Sequence, residues 1–157
     1  MSLVLVRIDQ RLVHGIVVTQ YASSTKAKRI MVVDDEASKD EVQKSVMRLS
    51  KPAGTGMSII DTQTAIKNFG IGKYDSHNVL MVVKEPSTIL KLIEGGVKIP
   101  EVNIGIVFKS DDSENIVNQV NLNNKQKEDL KKISEMGIPV YFQYVPSNPK
   151  EELSKYV

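Results

Sequence analysis

Short runs of aliphatic and β-branched residues alternate with amphipathic segments along almost the whole chain. The aliphatic runs, typical of buried strands, cover residues 3–8, 29–34, 57–60, 79–83, 102–107 and 139–144, and residues 118–122 are a candidate for one further short strand. The amphipathic segments, typical of helices, cover residues 15–22, 39–50, 62–69, 86–94 and 125–136. The alternation predicts an α/β fold: a single three-layer domain over residues 1–157, with a mostly parallel central sheet of about six or seven strands and helices on both faces.

Composition limits the classes of function. The 157 residues are 41% hydrophobic and 25% charged, enough for a sizeable core, and a net charge of +2 does not argue for a nucleic-acid partner. The absence of cysteine excludes disulfides, thiolate zinc sites and cysteine redox chemistry. No apolar run approaches the ~20 residues that span a bilayer, and Arg7 and Asp9 interrupt the first apolar stretch. We therefore expect a cytoplasmic protein.

The segment after the first predicted strand concentrates reactive side chains. Residues 7–15 read RIDQRLVHG, and a helical pattern follows directly. In an open α/β sheet, ligands bind beyond the carboxyl ends of the strands, so this position favours a functional site. His14 is predicted to lie on a loop at a helix N-terminus, where unpaired backbone N–H groups attract anions. Gly15 permits an anion to approach the backbone closely.

These residue types suit a phosphohistidine intermediate on His14. A neutral imidazole is a nucleophile near neutral pH, and a helix N-terminus favours the neutral form. Arg11 and the backbone amides of Gly15 and Ile16 would stabilise a phosphoryl group on the ring. Asp9 would orient Arg11 or fix the imidazole tautomer. The alternative interpretation is a structural loop histidine beside an incidental Arg–Asp pair.

Several motifs, in this order along the chain, resemble one protein family. Residues 7–15, with Val17 and Val18 after them, resemble the signature of the enzyme IIB component of the mannose/fructose/sorbose family of the bacterial sugar phosphotransferase system. The supporting motifs are residues 33–35 (VDD), 51–54 (KPAG), 92–97 (LIEGGV), 103–105 (NIG) and 144–146 (YVP). Gln10, Ile16 and Ile106 depart from residues that are frequent in the family at those positions.

The resemblance implies a phosphocarrier, a protein-N(pi)-phosphohistidine–sugar phosphotransferase. Enzyme IIA would phosphorylate His14 on its δ nitrogen, and His14 would pass the phosphoryl group to a sugar held by the membrane components IIC and IID. By the same match, Arg11 clamps the phosphoryl group and Asp9 orients Arg11. The resemblance implies no metal or organic cofactor, no nucleic-acid partner, and membrane contact only through the permease. The sugar stays open among mannose, fructose, sorbose, N-acetylgalactosamine and others.

Other charged or polar residues lie on or after predicted strands near the same edge of the sheet. The candidates for walls of the active-site pocket are Arg7, Asp34, Asp35, Asp61 and Thr62. We also expect Arg7 to join Arg11 in a cationic face that attracts a phosphorylated partner. For Asp34, Asp35 and Asp61 the alternative role is that of a helix cap.

Metal chemistry has little support. Two histidines and no cysteine are poor material for a transition-metal site, and His77 lies in a polar stretch that predicts a solvated turn. Residues 34–36 could bind a hard cation, but helix capping is the favoured interpretation.

Two other classes of function remain open. A receiver-like signalling domain would use the acidic pair in residues 31–36 (MVVDDE), Asp61 as phosphoacceptor and Lys109 as terminal lysine. The spacing argues against it, because residues 35–61 hold only one helix and one strand. The other class is a non-enzymatic, small-molecule-binding α/β module with His14 buried. Acid-labile phosphate on His14 would separate the transferase from both.

Overall fold

The computed structural model describes residues 3–157, apart from the side chain of Ile16. The strands are β1 Leu3–Asp9, β2 Arg29–Val33, β3 Gly56–Ile60, β4 Val79–Val83, β5 Val102–Ile106, β6 Glu114–Val117, β7 Val120–Leu122, β8 Val140–Phe142 and β9 Glu151–Glu152. The helices are α1 Gly15–Thr25, α2 Glu41–Leu49, α3 Thr62–Gly70, α4 Pro86–Glu94 and α5 Asn124–Glu135. Short 3₁₀ helices cover Ala37–Lys39 and Leu153–Lys155.

Seven of the strands form one sheet, in the order β3-β2-β4-β1-β5-β8-β9. Neighbours from β3 to β8 are parallel, and β9 pairs antiparallel with β8. The predicted single α/β domain with a mostly parallel sheet is therefore confirmed. The structure adds β9 and an antiparallel β6–β7 pair, of which only β7 falls in a predicted strand. β9 is two glutamates and β6 is half-exposed, so neither carries the apolar run that marks the other strands.

Helices cover both faces of the sheet, as predicted. Successive side chains of a strand point to opposite faces, so Leu5 of β1 packs under α1 and α2, whereas Val6 and Ile8 pack under α3, α4 and α5. By the same alternation, Arg7 and Asp9 lie on the α1 side. Within residues 3–157, every helix is too short or too polar to cross a bilayer.

The central strand β1 positions the loop that follows it. Ile8 pairs with Val83 of β4 on one side and with Ile104 of β5 on the other, so the three strands end close together. The chain leaves β1 through α1 on one face, whereas α4 connects β4 to β5 across the other face. Connections that diverge in this way leave a crevice at the carboxyl edge of the sheet. Residues 10–14 lie at that edge.

The helices differ in how their first turns are satisfied. Asp40, Asp61 and Asn123 cap α2, α3 and α5, each accepting a hydrogen bond from a backbone N–H three residues later. α4 begins with Pro86, which has no backbone N–H and therefore needs no acceptor at that position. The N-cap of α1 is His14, whose side chain makes no capping hydrogen bond.

Candidate active site

Residues 10–14 form a tight loop between β1 and α1. The backbone N–H of Leu12 donates to the carbonyl of Asp9 at 2.9 Å, and Leu12 and Gly15 have positive φ of 61° and 54°. For a leucine this conformation costs roughly 1–2 kcal/mol, which the buried side chains of Leu12 and Val13 offset by packing in the core. His14 comes last, extended and exposed. The fold of the loop therefore presents the imidazole to solvent.

Asp9 holds Arg11 in a fixed orientation. Nε of Arg11 donates to Oδ1 of Asp9 at 3.2 Å, and Nη2 donates to Oδ2 at 3.1 Å. The backbone N–H of Arg11 also donates to Oδ1 at 3.0 Å. Partial burial lowers the pKa of Arg11, but the hydrogen bond and charge of Asp9 outweigh this effect, so the pKa is raised overall. The two-point contact fixes the plane of the guanidinium.

Arg11 links this ion pair to His14. Nη1 of Arg11 lies 3.4 Å from Nδ1 of the imidazole. A guanidinium stays protonated and can only donate, so the ring nitrogen that faces it is the one without a hydrogen. In a neutral imidazole that accepts this hydrogen bond, the nucleophilic lone pair lies on Nδ1, next to a cation, and Nε2 carries the hydrogen.

The start of α1 adds further positive potential beside this nitrogen. The first N–H groups of a helix have no intrahelical acceptor, and the first turn of α1 contains neither a side-chain cap nor an acidic residue. Gly15 and Ile16, the two predicted backbone donors, are the first two residues of this helix. A guanidinium and the positive end of a helix are together suited to hold a phosphoryl group.

Arg7 lies beneath the site, not on its surface. It is 2% exposed, so the prediction that it joins Arg11 in an exposed cationic face is wrong, and it forms no pocket wall. Its guanidinium donates to the carbonyls of Gln143 and Tyr144 at 3.0 and 2.9 Å and to the side chain of Asn103. It also lies 3.4 Å from Oδ2 of Asp9. Burial lowers the pKa of Arg7, and the neighbouring Tyr21 and Asp9 offset part of this effect.

A buried polar cluster surrounds Arg7 under α1. The hydroxyl of Tyr21 donates to Oε1 of Gln143 at 2.9 Å, and the Tyr21 ring lies 4.6 Å from the Arg7 guanidinium. Burial raises the pKa of the Tyr21 hydroxyl. A Cβ at Gly105 would come within 2.1 Å of the Arg7 guanidinium, so any larger residue here would push Arg7 away from its hydrogen-bond partners. The cluster, which includes Asn103, ties α1 to β5 and β8 and supports Asp9 from below.

Gln10 connects the loop to the ends of β4 and β5. Its Nε2 donates to Oε1 of Glu85 at 2.9 Å, and its Oε1 accepts from the backbone N–H of Phe108 at 2.8 Å. The sequence shows Gln10 as a member of the motif only. Its partners lie 75 and 98 residues away, and no local pattern marks them.

The other candidate wall residues form a separate polar surface. Asp34, Asp35 and Thr62 line a shallow cavity of about 230 Å³ together with Lys84. Oδ2 of Asp34 accepts from the backbone N–H of Ala37 at 2.9 Å and lies 3.9 Å from Nζ of Lys84. Oδ1 of Asp35 accepts from the N–H and the hydroxyl of Thr62 at 2.9 and 3.0 Å. Both carboxylates thus hold helix starts, and the described residues show no hydrogen bond between this surface and His14.

Asp61 acts as a helix cap. Its Oδ1 accepts from the backbone N–H of Thr64 at 2.7 Å. Hydrogen bonding from the side chain and the backbone of Thr64 lowers the pKa of Asp61. Asp61 does not line the cavity beside Thr62. The prediction that it forms a wall of that pocket is therefore wrong, and its role is that of a helix cap.

The second histidine lies away from the loop. His77 follows a turn at the amino end of β4, and its Nδ1 is 3.3 Å from the hydroxyl of Ser76. Among the described residues, no group of three histidine, aspartate or glutamate side chains is placed to hold a metal ion.

The sequence profile of a known family matches almost the full chain. The family described as the PTS system sorbose subfamily IIB component matches residues 3–157. The PTS system mannose-specific EIIAB component of Escherichia coli strain K12 is 34% identical over 146 residues, which make up 93% of this chain and 45% of that protein. The chain therefore spans about half the length of the first curated relatives that it matches.

Two further matches extend over almost the full length of both compared chains. The N-acetylgalactosamine-specific phosphotransferase enzyme IIB component 1 of Escherichia coli strain K12 is 32% identical over 97% of this chain and 96% of that protein. The crystal structure of the IIBSor domain of the sorbose permease from Klebsiella pneumoniae superposes with a TM-score of 0.94, at 24% identity, over 99% of this chain and 95% of that one. This second likeness shows the shared fold.

Proposed function

Because this chain belongs to the sorbose subfamily of IIB components of the sugar phosphotransferase system, we propose that His14 is its phosphoacceptor and carries a phosphoryl group from enzyme IIA to a sugar. The observation that carries the proposal is the exposed imidazole whose Nδ1 faces a guanidinium held in place by Asp9. The proposed activity is that of a protein-N(pi)-phosphohistidine–sugar phosphotransferase acting in the cytoplasm. The proposed partners are IIA and the membrane components IIC and IID.

The first step forms one N–P bond and breaks another. The lone pair on Nδ1 of His14 attacks the phosphorus of the phosphohistidine on IIA, and the electron pair of the breaking bond returns to the donor imidazole. Negative charge spreads over the three equatorial oxygens in the transition state. Arg11 and the first amides of α1, those of Gly15 and Ile16, stabilise this charge.

The second step reverses the roles. The oxygen of a sugar hydroxyl attacks the phosphorus, the N–P bond breaks, and its electron pair returns to Nδ1. The hydroxyl proton leaves to a base or to water. Matched relatives are named for mannose and for N-acetylgalactosamine, so the proposal stops at a sugar as the acceptor class.

The acidic residues give the receiver interpretation no support. A receiver needs free carboxylates around an aspartate phosphoacceptor, whereas Asp34 and Asp35 hold helix starts and Asp61 caps α3. The module with a buried histidine has none either, since His14 is exposed.

Mass spectrometry tests the proposal directly. The chain is incubated with phosphoenolpyruvate, the general phosphotransferase proteins and a cognate IIA, and it should gain one acid-labile phosphate on the peptide that holds His14. His14→Ala should gain none. His77→Ala is the matched control, because it removes the other histidine and should leave incorporation unchanged. Phosphate that remains in His14→Ala would contradict the proposal.

A further inference from the structure

The side chain of Gln10 uses both ends of its amide. Its Nε2 donates to Glu85 and its Oε1 accepts from the backbone of Phe108, at 2.9 and 2.8 Å. Its own backbone N–H donates to the carbonyl of Ile106 at 3.0 Å. Gln10 is the first residue after β1, so these contacts fix the start of the loop that ends at His14.

Glu85 is in turn held from a third element. Its Oε2 accepts from Nε2 of Gln126 at 3.0 Å. Oε1 of Gln126 accepts from the backbone N–H of Asn123, within the capping box of α5. Gln10, Glu85 and Gln126 thus each have a hydrogen-bond partner at both polar ends of the side chain. Because a carboxylate can only accept, Glu85 presents an acceptor to Gln10. A side chain at position 10 therefore has to donate towards Glu85 and accept from Phe108.

We infer that Gln10 is a positioning residue for His14, and that position 10 requires an uncharged side chain because it faces the carboxylate of Glu85. The inference rests on the proposed role of His14 for its kinetic effect, although the contacts themselves do not. Gln10 touches neither His14 nor Arg11 in the described hydrogen bonds, so it acts by anchoring the loop against β4 and β5.

Within the described residues, Glu85 has no ion-pair partner that would already compensate a second carboxylate beside it. The charged residues that share its cavity are Asp34, Asp35, Glu36, Lys84 and Lys91. Lys84 lies 3.9 Å from Asp34, and within residues 3–157 no lysine or arginine forms an ion pair with Glu85. From α5, the neutral Gln126 faces it. A glutamate at position 10 would therefore place two carboxylates in contact, with no ion pair to Glu85 already in place.

The pH profile of Gln10→Glu tests this charge requirement. Two carboxylates in contact share one proton at low pH, which restores a donor, and repel each other once both are ionised. Relative to wild type at the same pH, phosphoryl acceptance from phosphorylated IIA should fall at least about tenfold near pH 8 and recover to within about threefold near pH 5.5. Division by the wild-type rate removes the effect of protons on groups that both proteins share. A ratio that does not change with pH would overturn the inference.

Exchanging the two residues provides the rescue. In Gln10→Glu/Glu85→Gln, the glutamine at 85 donates to the glutamate at 10 and still accepts from Gln126, and the net charge equals that of wild type. This variant should transfer within about threefold of wild type, without the added pH dependence. If it is as slow as Gln10→Glu, the pair does not act through this hydrogen bond and the inference is wrong.

A readout without phosphate separates the inference from the proposed function. Amide hydrogen exchange at Leu12, whose N–H closes the loop on Asp9, should be at least about tenfold faster near pH 8 in Gln10→Glu than in wild type. The exchanged pair should restore slow exchange. If wild type takes no phosphate but this pattern appears, the proposed function fails while the anchoring of the loop stands. Unchanged exchange in Gln10→Glu would overturn the anchoring itself.

Discussion

The starts of α1 and α3 differ in what occupies the same structural position. Both helices begin after the carboxyl ends of parallel strands, and both have an extended N-cap residue. At α3, the carboxylate of Asp61 accepts from the N–H of Thr64 at 2.7 Å. At α1, His14 leaves the first amides uncapped. One N-cap stabilises its helix, whereas the other leaves the helix end free to bind an anion.

The uncapped helix is held by other means. A good N-cap contributes about 1 kcal/mol, which α1 lacks. In its place α1 buries Val18, Tyr21 and Ala22 against the sheet, and the Tyr21 hydroxyl reaches Gln143 of the segment after β8. Packing on the inner side of α1 therefore allows its outer end to carry reactive groups.

Turning the α1 start into an α3-like start should have the largest effect. His14→Asp supplies a capping carboxylate, so phosphoryl transfer through this position should be lost while the free energy of unfolding rises by about 1 kcal/mol. His14→Ala is the control, which should lose transfer without the gain. Urea unfolding and phosphate incorporation measure the two effects. Equal stability of the two variants would show that the α1 end is not an open cap site.

Removing the cation at α1 should have the next largest effect. Arg11→Ala should leave the fold intact, because Asp9 keeps Arg7, and slow phosphoryl acceptance at least about tenfold. Arg11→Lys should also be slow, since an ammonium cannot hold both oxygens of Asp9. The matched control is Lys39→Ala, which removes a cation near Asp61 at the other helix start. Normal rates in Arg11→Ala would show that Arg11 is not a phosphoryl clamp.

Removing the α3 cap should affect stability alone. Asp61→Ala should lower the free energy of unfolding by about 1 kcal/mol, because the N–H of Thr64 loses its acceptor. Phosphoryl acceptance by His14 should not change. A transfer rate that falls with Asp61→Ala under folded conditions would mean that the two helix starts are coupled.

Acid should reveal the smallest difference between the two ends. The pKa of Asp61 is lowered by its hydrogen bonds in the folded chain, so its ionised form adds stability above the unfolded pKa of about 4. That contribution disappears as pH falls through the lower folded pKa. Asp61→Asn keeps a capping oxygen without this titration. Urea unfolding between about pH 5 and pH 3 should therefore show the small advantage of wild type over Asp61→Asn shrinking with acid, and a constant difference would contradict it.

Local pattern was sufficient for the fold and for the position of the candidate loop. The six aliphatic runs predict the strands, and the polar residues after β1 single out residues 7–15. Pattern could not show that Arg7 is buried, since an arginine beside an aspartate at the end of a strand also fits an exposed edge. Its partners Asn103 and Gln143 lie 96 and 136 residues away, and only the order of strands in the sheet brings them under α1.

The same distance in sequence hid the Gln10 contacts and the β6–β7 pair. Glu85 reaches Gln10 because β4 and β1 are neighbours, although β2 and β3 intervene along the chain. The ribbon of β6 and β7 is joined to the sheet by an isolated bridge between Val107 and Val120. Both features depend on tertiary geometry that no local periodicity records.

The two arginines and one aspartate behind the imidazole leave a surplus of one elementary positive charge, and only Arg11 displays it outward. A phosphoryl group brings close to two negative charges. On the proposed mechanism, its arrival changes the net charge of the site from about +1 to about −1. The site therefore attracts the phosphoryl group without neutralising it completely. Incomplete compensation is what a carrier needs, because a fully balanced pocket would retain what it must pass on.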